Sequence, residues 1–130
     1  MDPLLLGVFQ ASGGAFAAIL KDGSVVTWGH APCGGDSSAV QDQLKGVQQI
    51  QATHRAFAAI LEDGSVVTWG GAVYGGDSSA VQYQLNGVQQ IQAAPFGAFA
   101  AILADGSVVT WGPADFGGDS SAVQHQLRFV

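Results

Sequence analysis

A chain of 130 residues, 48% hydrophobic and 11% charged, holds enough apolar material for one domain core and too much for a disordered segment. Its net charge of −6, with Lys21, Lys45, Arg55 and Arg128 as the only permanent cations, leaves no basic patch for phosphates and argues against a nucleic-acid partner. No apolar run reaches the roughly 20 residues of a membrane helix, and the single Cys33 rules out an internal disulfide.

The opening MDPLLLGVFQ carries an acidic residue where a signal peptide needs positive charge, so no targeting segment is expected there, and LLGVFQA within it reads as a strand. AFAAIL (15–20) and SVVTW (24–28) follow as short apolar runs around an x-Asp-Gly turn, which is a strong hairpin signal because glycine accepts positive φ. Phe16, Ala18 and Leu20 share one face of the first run and Ala17 and Ile19 the other, so this strand belongs between two layers. A loop with paired glycines, GHAPCGGDSS, comes next. SSAVQDQLKG then predicts a helical turn or two, capped by Ser37 or Ser38, with Val40 and Leu44 on one side and Gly46 at its end. VQQIQA at 47–52 is the strand that leads into another AFAAIL.

From there the pattern recurs. Trp28, Trp69 and Trp111 are spaced by 41 and 42 residues, and 25 of the 30 aligned positions in 15–44, 56–85 and 98–127 are identical in all three copies. The extra residue of the third copy lies in QAAPFG, before Ala98. The five variable columns are Lys21/Glu62/Ala104, His30/Gly71/Pro113, Pro32/Val73/Asp115, Cys33/Tyr74/Phe116 and Asp42/Tyr83/His125. A column that accepts Lys, Glu and Ala is solvated, whereas one that stays Trp is packed. The expectation is one mainly β repeat domain over 1–130. Its units, approximately 6–46, 47–87 and 88–129, each hold a β-hairpin, an extra strand and a short helix.

The core AILEDGSVVTWGGAVYGG resembles the repeats of the regulator of chromosome condensation (RCC1) family, in which Asp-Gly joins two short strands, the second ending in Trp-Gly before a glycine-rich segment. AFAAILADGSVVTWG and GGDSSAVQ resemble, still more closely, repeats abundant in dinoflagellate algal proteins. The resemblance implies β-propeller blades, of which the family usually closes seven into a ring. The family's histidine before the first strand is Ala or Phe here, and its Gly-Gln-Leu-Gly segment is GGDSS, so nucleotide exchange and chromatin contact are not implied. Three blades are too few for a closed propeller, and an open stack leaves apolar end faces that need a partner or self-association. The alternative fold is a β-trefoil, which fits the count of three repeats and fits the helix poorly.

GDSS, at 35–38, 76–79 and 118–121, has the look of a hydrolase nucleophile motif, but a serine nucleophile needs a base, and His30, His54 and His125 stand at three different repeat positions. No catalytic residue is assigned. Asp22, Asp63 and Asp105, like Asp36, Asp77 and Asp119, occur singly and read as turn and cap residues, not calcium ligands. One cysteine and three unaligned histidines make no zinc set, and no cofactor is expected. The tryptophans read as packing wedges, with a stacking platform as the alternative. Binding is placed on the variable residues after Trp-Gly, namely His30, Pro32, Cys33, Val73, Tyr74, Asp115 and Phe116, with the Cys33/Tyr74/Phe116 column foremost.

The functional expectation is a non-enzymatic structural or protein-binding subunit that docks on a larger protein or complex through apolar blade faces and variable loops. A specific version is an accessory subunit of a large organellar assembly, such as a photosynthetic membrane complex, peripheral to the membrane. The alternative is a glycan- or pigment-binding module.

Overall fold

The computed structural model describes residues 5–127; Arg128 and the Met-Asp-Pro-Leu opening lie outside them. Among the described residues nine strands run in chain order: β1 (Leu5–Ala11), β2 (Ala15–Leu20), β3 (Val25–Gly29), β4 (Val47–Ala52), β5 (Ala56–Leu61), β6 (Val66–Gly70), β7 (Val88–Ala94), β8 (Ala98–Leu103) and β9 (Val108–Trp111). They form three separate antiparallel sheets, ordered β1-β2-β3, β4-β5-β6 and β7-β8-β9. Each repeat is thus a three-stranded blade, and the trefoil alternative falls away. Among the described residues no helix is long and apolar enough to cross a membrane.

The Asp-Gly turn sets the register of each hairpin. Gly23 sits at φ +85°, and its N–H donates to the Leu20 carbonyl while the Leu20 N–H donates to the Ser24 carbonyl. Asp22 Oδ1 accepts from the Ser24 N–H at 3.0 Å and from its hydroxyl at 2.5 Å, an arrangement repeated at Asp63 and Asp105. This register puts Phe16 opposite Trp28, Phe57 opposite Trp69 and Phe99 opposite Trp111. The first strand of each blade carries a register shift, between Leu5 and Val8, Val47 and Gln49, and Val88 and Gln90.

The helix expected over SSAVQDQLKG shrinks to a single 3₁₀ turn, Gln41–Gln43, with counterparts at Gln82–Gln84 and Gln124–Gln126; a second turn, Ala31–Cys33, lies in the preceding loop. Neither Ser37 nor Ser38 caps it. Asp36 Oδ1 accepts from the Ser38 N–H at 2.9 Å, so the aspartate closes the turn. The buried Ser37 hydroxyl instead bonds Thr27 Oγ1 at 2.9 Å and donates to Gln41 Oε1 at 2.8 Å, and Gln41 Nε2 donates to the Val25 carbonyl at 2.9 Å. Gln41 is held to the edge of β3, which prevents the helix from propagating and occupies an edge-strand acceptor. The same network holds Thr68, Ser78, Gln82 and Val66. Thr68→Val is expected to destabilise the chain by about 1–3 kcal/mol, because the Ser78 hydroxyl loses a partner in a buried site; a denaturation midpoint equal to that of the unsubstituted chain would contradict this.

The blades stack face to face. We call leading the face each blade turns to its predecessor, and trailing the face it turns to its successor. In the middle blade both are buried. Its leading residues Phe57, Ala59, Val67 and Trp69 share a core with Ala15, Ala17, Ile19, Val25 and Leu44 of the first blade. Its trailing residues Ala56, Ala58, Ile60, Val66 and Leu85 share another with Ile91, Phe99, Ala101, Val109 and Trp111 of the third. The apolar pattern on both faces of AFAAIL is therefore used in full only in the middle blade.

Hydrogen bonds from the serine two residues on hold the carboxyls of Asp22, Asp36, Asp63 and Asp77 below the ordinary aspartate value of 3.8, the hydroxyl contributing more than the backbone N–H. At Asp119 the N–H of Ser121 leads and its hydroxyl follows. Because the folded value lies below the unfolded one, the stabilisation is complete above 3.8 and is lost as pH falls below it. Acid titration should show a loss of stability that begins near pH 4 and is smaller when Asp63 and Asp77 are replaced by Asn. An unchanged acid limb in that variant would contradict these turn roles.

Candidate functional site

Each internal junction is built from one tryptophan, one phenylalanine and one glycine. Trp69 Nε1 donates to the Gly34 carbonyl of the preceding blade at 3.1 Å, and the Phe57 ring stacks on the indole with centroids 5.3 Å apart. Gly34 is left-handed, at φ +96°, and a Cβ there would lie 2.5 Å from Cδ2 of Phe57, so only glycine lets the ring seat against the loop. The second junction repeats this with Trp111 Nε1 on the Gly75 carbonyl at 3.0 Å and Phe99 against Gly75.

The first blade presents the same group with no blade in front of it. Phe16 stacks on Trp28 at 5.4 Å and Phe9 meets the indole edge-on at 6.4 Å. Phe9, Phe16, Val26 and Trp28 are 50%, 46%, 43% and 43% exposed, while their middle-blade counterparts Ile50, Phe57, Val67 and Trp69 are at most 6% exposed. Among the described residues Trp28 Nε1 has no hydrogen-bond acceptor. The result is an apolar aromatic shelf without a charged side chain among these four. The sequence marks the tryptophans as packing residues and gives Phe9, Phe16 and Val26 no signal of their own. Their exposure follows from place in the stack: among the described residues no blade faces them.

The variable residues are distributed along the loops after Trp-Gly. His30 and Pro32 are exposed on the first blade, while Cys33 is buried in the core between the first two blades. Tyr74 is half-buried, packs against the second core and lies under Arg55, whose guanidinium carbon is 5.2 Å from the ring centroid. Val73, Tyr74 and Phe116 line one groove of about 660 Å³ with Trp111 and Pro113, between the middle and third blades; Asp115 is exposed beside it. Phe116 is 45% exposed and meets Phe96, at the insertion, at 5.7 Å. In the first two copies Ser12 and Thr53 hydroxyls donate to the Cys33 and Tyr74 carbonyls at 2.7 and 2.9 Å. Ala94 holds the corresponding position in the third copy and has no hydroxyl to donate.

The first serine of each GDSS is occupied structurally. Ser37, Ser78 and Ser120 hydroxyls bond the threonine of the third strand and donate to a glutamine oxygen. A glutamine side-chain oxygen accepts a hydroxyl proton but cannot take it up as a general base.

No protein-family model matches the chain, and no curated protein matches it. Solved structures do. Yeast RCC1 (Prp20), in its complex with Kap60, superposes with a TM-score of 0.60 at 20% identity over 81% of this chain and 29% of that one. Human WBSCR16 gives 0.62 at 17% identity over 86% and 34%. The CRINKLY WD40 ectodomain of the Arabidopsis thaliana receptor kinase ACR4 gives 0.57 at 23% identity over 86% and 38%. The fold is that of RCC1-like propeller blades. The three propeller-type blades span about a third of the length of the chains they match. At these identities the likeness fixes architecture, and function has to be argued from the blade faces.

Proposed function

We propose that this chain is a non-enzymatic, protein-binding repeat subunit that docks through the leading face of its first blade, with the loops after Trp-Gly adding specificity. One observation carries this: Phe9, Phe16, Val26 and Trp28 are exposed where every counterpart in the next blade is buried. A contiguous apolar surface of this kind marks an interaction site, and a tryptophan beside a phenylalanine supplies the anchors that dominate interface energetics. Yeast Prp20, which shares this fold, was crystallised with another protein, Kap60, bound to it.

Cross-linking a tagged chain in its native cells, followed by purification, tests this. A protein partner in fixed stoichiometry, a second copy included, should be retained by Tyr83→Ser, at a 77% exposed residue away from both the shelf and the loops after Trp-Gly, and lost with the double substitution Phe16→Ser, Trp28→Ser. Recovery of the chain alone, or equal retention by both variants, would refute it. The finer version, an accessory subunit of an organellar assembly such as a photosynthetic membrane complex, draws on the resemblance to algal repeats and the low charge, and the identity of the partner decides it.

A second reading has support in the same residues. Trp28 stacked on Phe16 presents an open indole to a planar pigment or a sugar ring, as Trp69 and Trp111 cannot. Saturable quenching of tryptophan fluorescence by such a ligand, abolished by Trp28→Phe, would favour it over a protein partner.

A further inference from the structure

We propose that the occupant of the leading face is a second copy of this chain, mated head to tail so that the trailing face of its third blade covers the first blade, with the reciprocal contact closing a ring of six blades. This rests on the reading that the leading face docks protein, and goes further by naming the partner.

The chain carries both halves of its own internal junction uncovered. One half is the shelf of Phe9, Phe16, Val26 and Trp28. The other is the trailing face of the third blade. There Ala100, Ile102 and Leu127 are partly exposed, whereas Ala58, Ile60 and Leu85, their counterparts against the third blade, are buried. Gly117 keeps the left-handed conformation of Gly34 and Gly75, at φ +100°, yet it is exposed and a Cβ built on it meets nothing within 4 Å. A hollow of about 250 Å³ lined by Ala98, Ala100, Phe116 and Gly117 lies where the trailing faces of the first two blades receive Phe57 and Phe99.

The mating chemistry is already demonstrated twice within the molecule. Phe16 of one copy would enter that hollow against Gly117 of the other, and Trp28 Nε1 would donate to the Gly117 carbonyl as Trp69 and Trp111 donate to Gly34 and Gly75. Ala98, Ala100, Ile102, Val108 and Leu127 are the same residue types as Ala15, Ala17, Ile19, Val25 and Leu44, which already cover a leading face in the first junction. None of these side chains is charged. Repulsion between two chains of net charge −6 is screened beyond about 8 Å at physiological salt, so it leaves the contact intact. Head-to-tail contacts close into rings when the rotation per unit allows it, and six blades fall within the roughly four to eight that propellers use.

Sedimentation and native mass spectrometry of the purified 130-residue chain test the proposal. The expected species is a dimer. Trp28→Ala on the head should weaken it at least about thirtyfold, the loss of one interface anchor. Gly117→Ala on the tail should also dissociate it, and Ala100→Glu, which keeps the Gly117 backbone untouched, provides a second tail variant. Mixing a head variant with a tail variant should restore a heterodimer, because one intact head then meets one intact tail. Two head variants, or two tail variants, should not complement each other. A monomer at every concentration, a ladder of ever larger oligomers, or a dimer indifferent to either class of substitution would overturn the proposal. A monomer that still binds a foreign protein through Trp28 in cells would overturn the second copy alone; failure of both experiments would remove the docking face itself.

Discussion

Trp69→Ala is expected to destabilise the chain by about 3–5 kcal/mol, and Trp111→Ala by a similar amount, because each leaves a cavity against a buried phenylalanine and deprives a carbonyl of its donor. Trp28→Ala should cost about 1 kcal/mol or less, since the same residue in the same local sequence is 43% exposed and bonds no carbonyl among the described residues. Urea denaturation in a Gly117→Ala background keeps association from contributing to the comparison. Three equal effects would show that the blades are not stacked as described.

The second large effect concerns glycines that look interchangeable in the sequence. Gly75→Ala places a methyl 2.6 Å from the Phe99 ring at φ +98°, so it combines the left-handed penalty with displacement of a buried ring. The expected cost is about 2–5 kcal/mol. Gly117→Ala has nearly the same φ of +100° and open space around the new methyl, so only the conformational term remains, about 1–2 kcal/mol. The difference between the two isolates packing from backbone strain. Equal losses would mean that Phe99 does not seat on Gly75.

The blades were legible in the sequence because their causes are local. Asp-Gly fixes the hairpin, the alternation of Phe16, Ala18 and Ala17, Ile19 fixes two apolar faces, and the recurrence of Trp28, Trp69 and Trp111 fixes the repeat. The helix was overestimated because serine preference for caps is also local, whereas the tie between Gln41 and the Val25 carbonyl spans 16 residues. The exposed leading face of the first blade was the least legible part. Trp28 and Trp69 have identical flanking residues and differ only in whether another blade precedes them, a property of position in the stack. Cys33, Tyr74 and Phe116 show the same limit, because their exposure follows the presence of the next blade as much as their residue type.

The three indole N–H groups report directly on that order. Hydrogen exchange of the tryptophan side chains, followed by nitrogen-15 NMR in the Gly117→Ala variant, should give two slow signals, Trp69 and Trp111, bonded to the Gly34 and Gly75 carbonyls, and one fast signal from Trp28. In the unsubstituted chain at high concentration Trp28 should slow as well. Exchange of Trp69 and Trp111 as fast as that of Trp28 in the variant would contradict a stack of blades joined by the tryptophan-to-glycine bond.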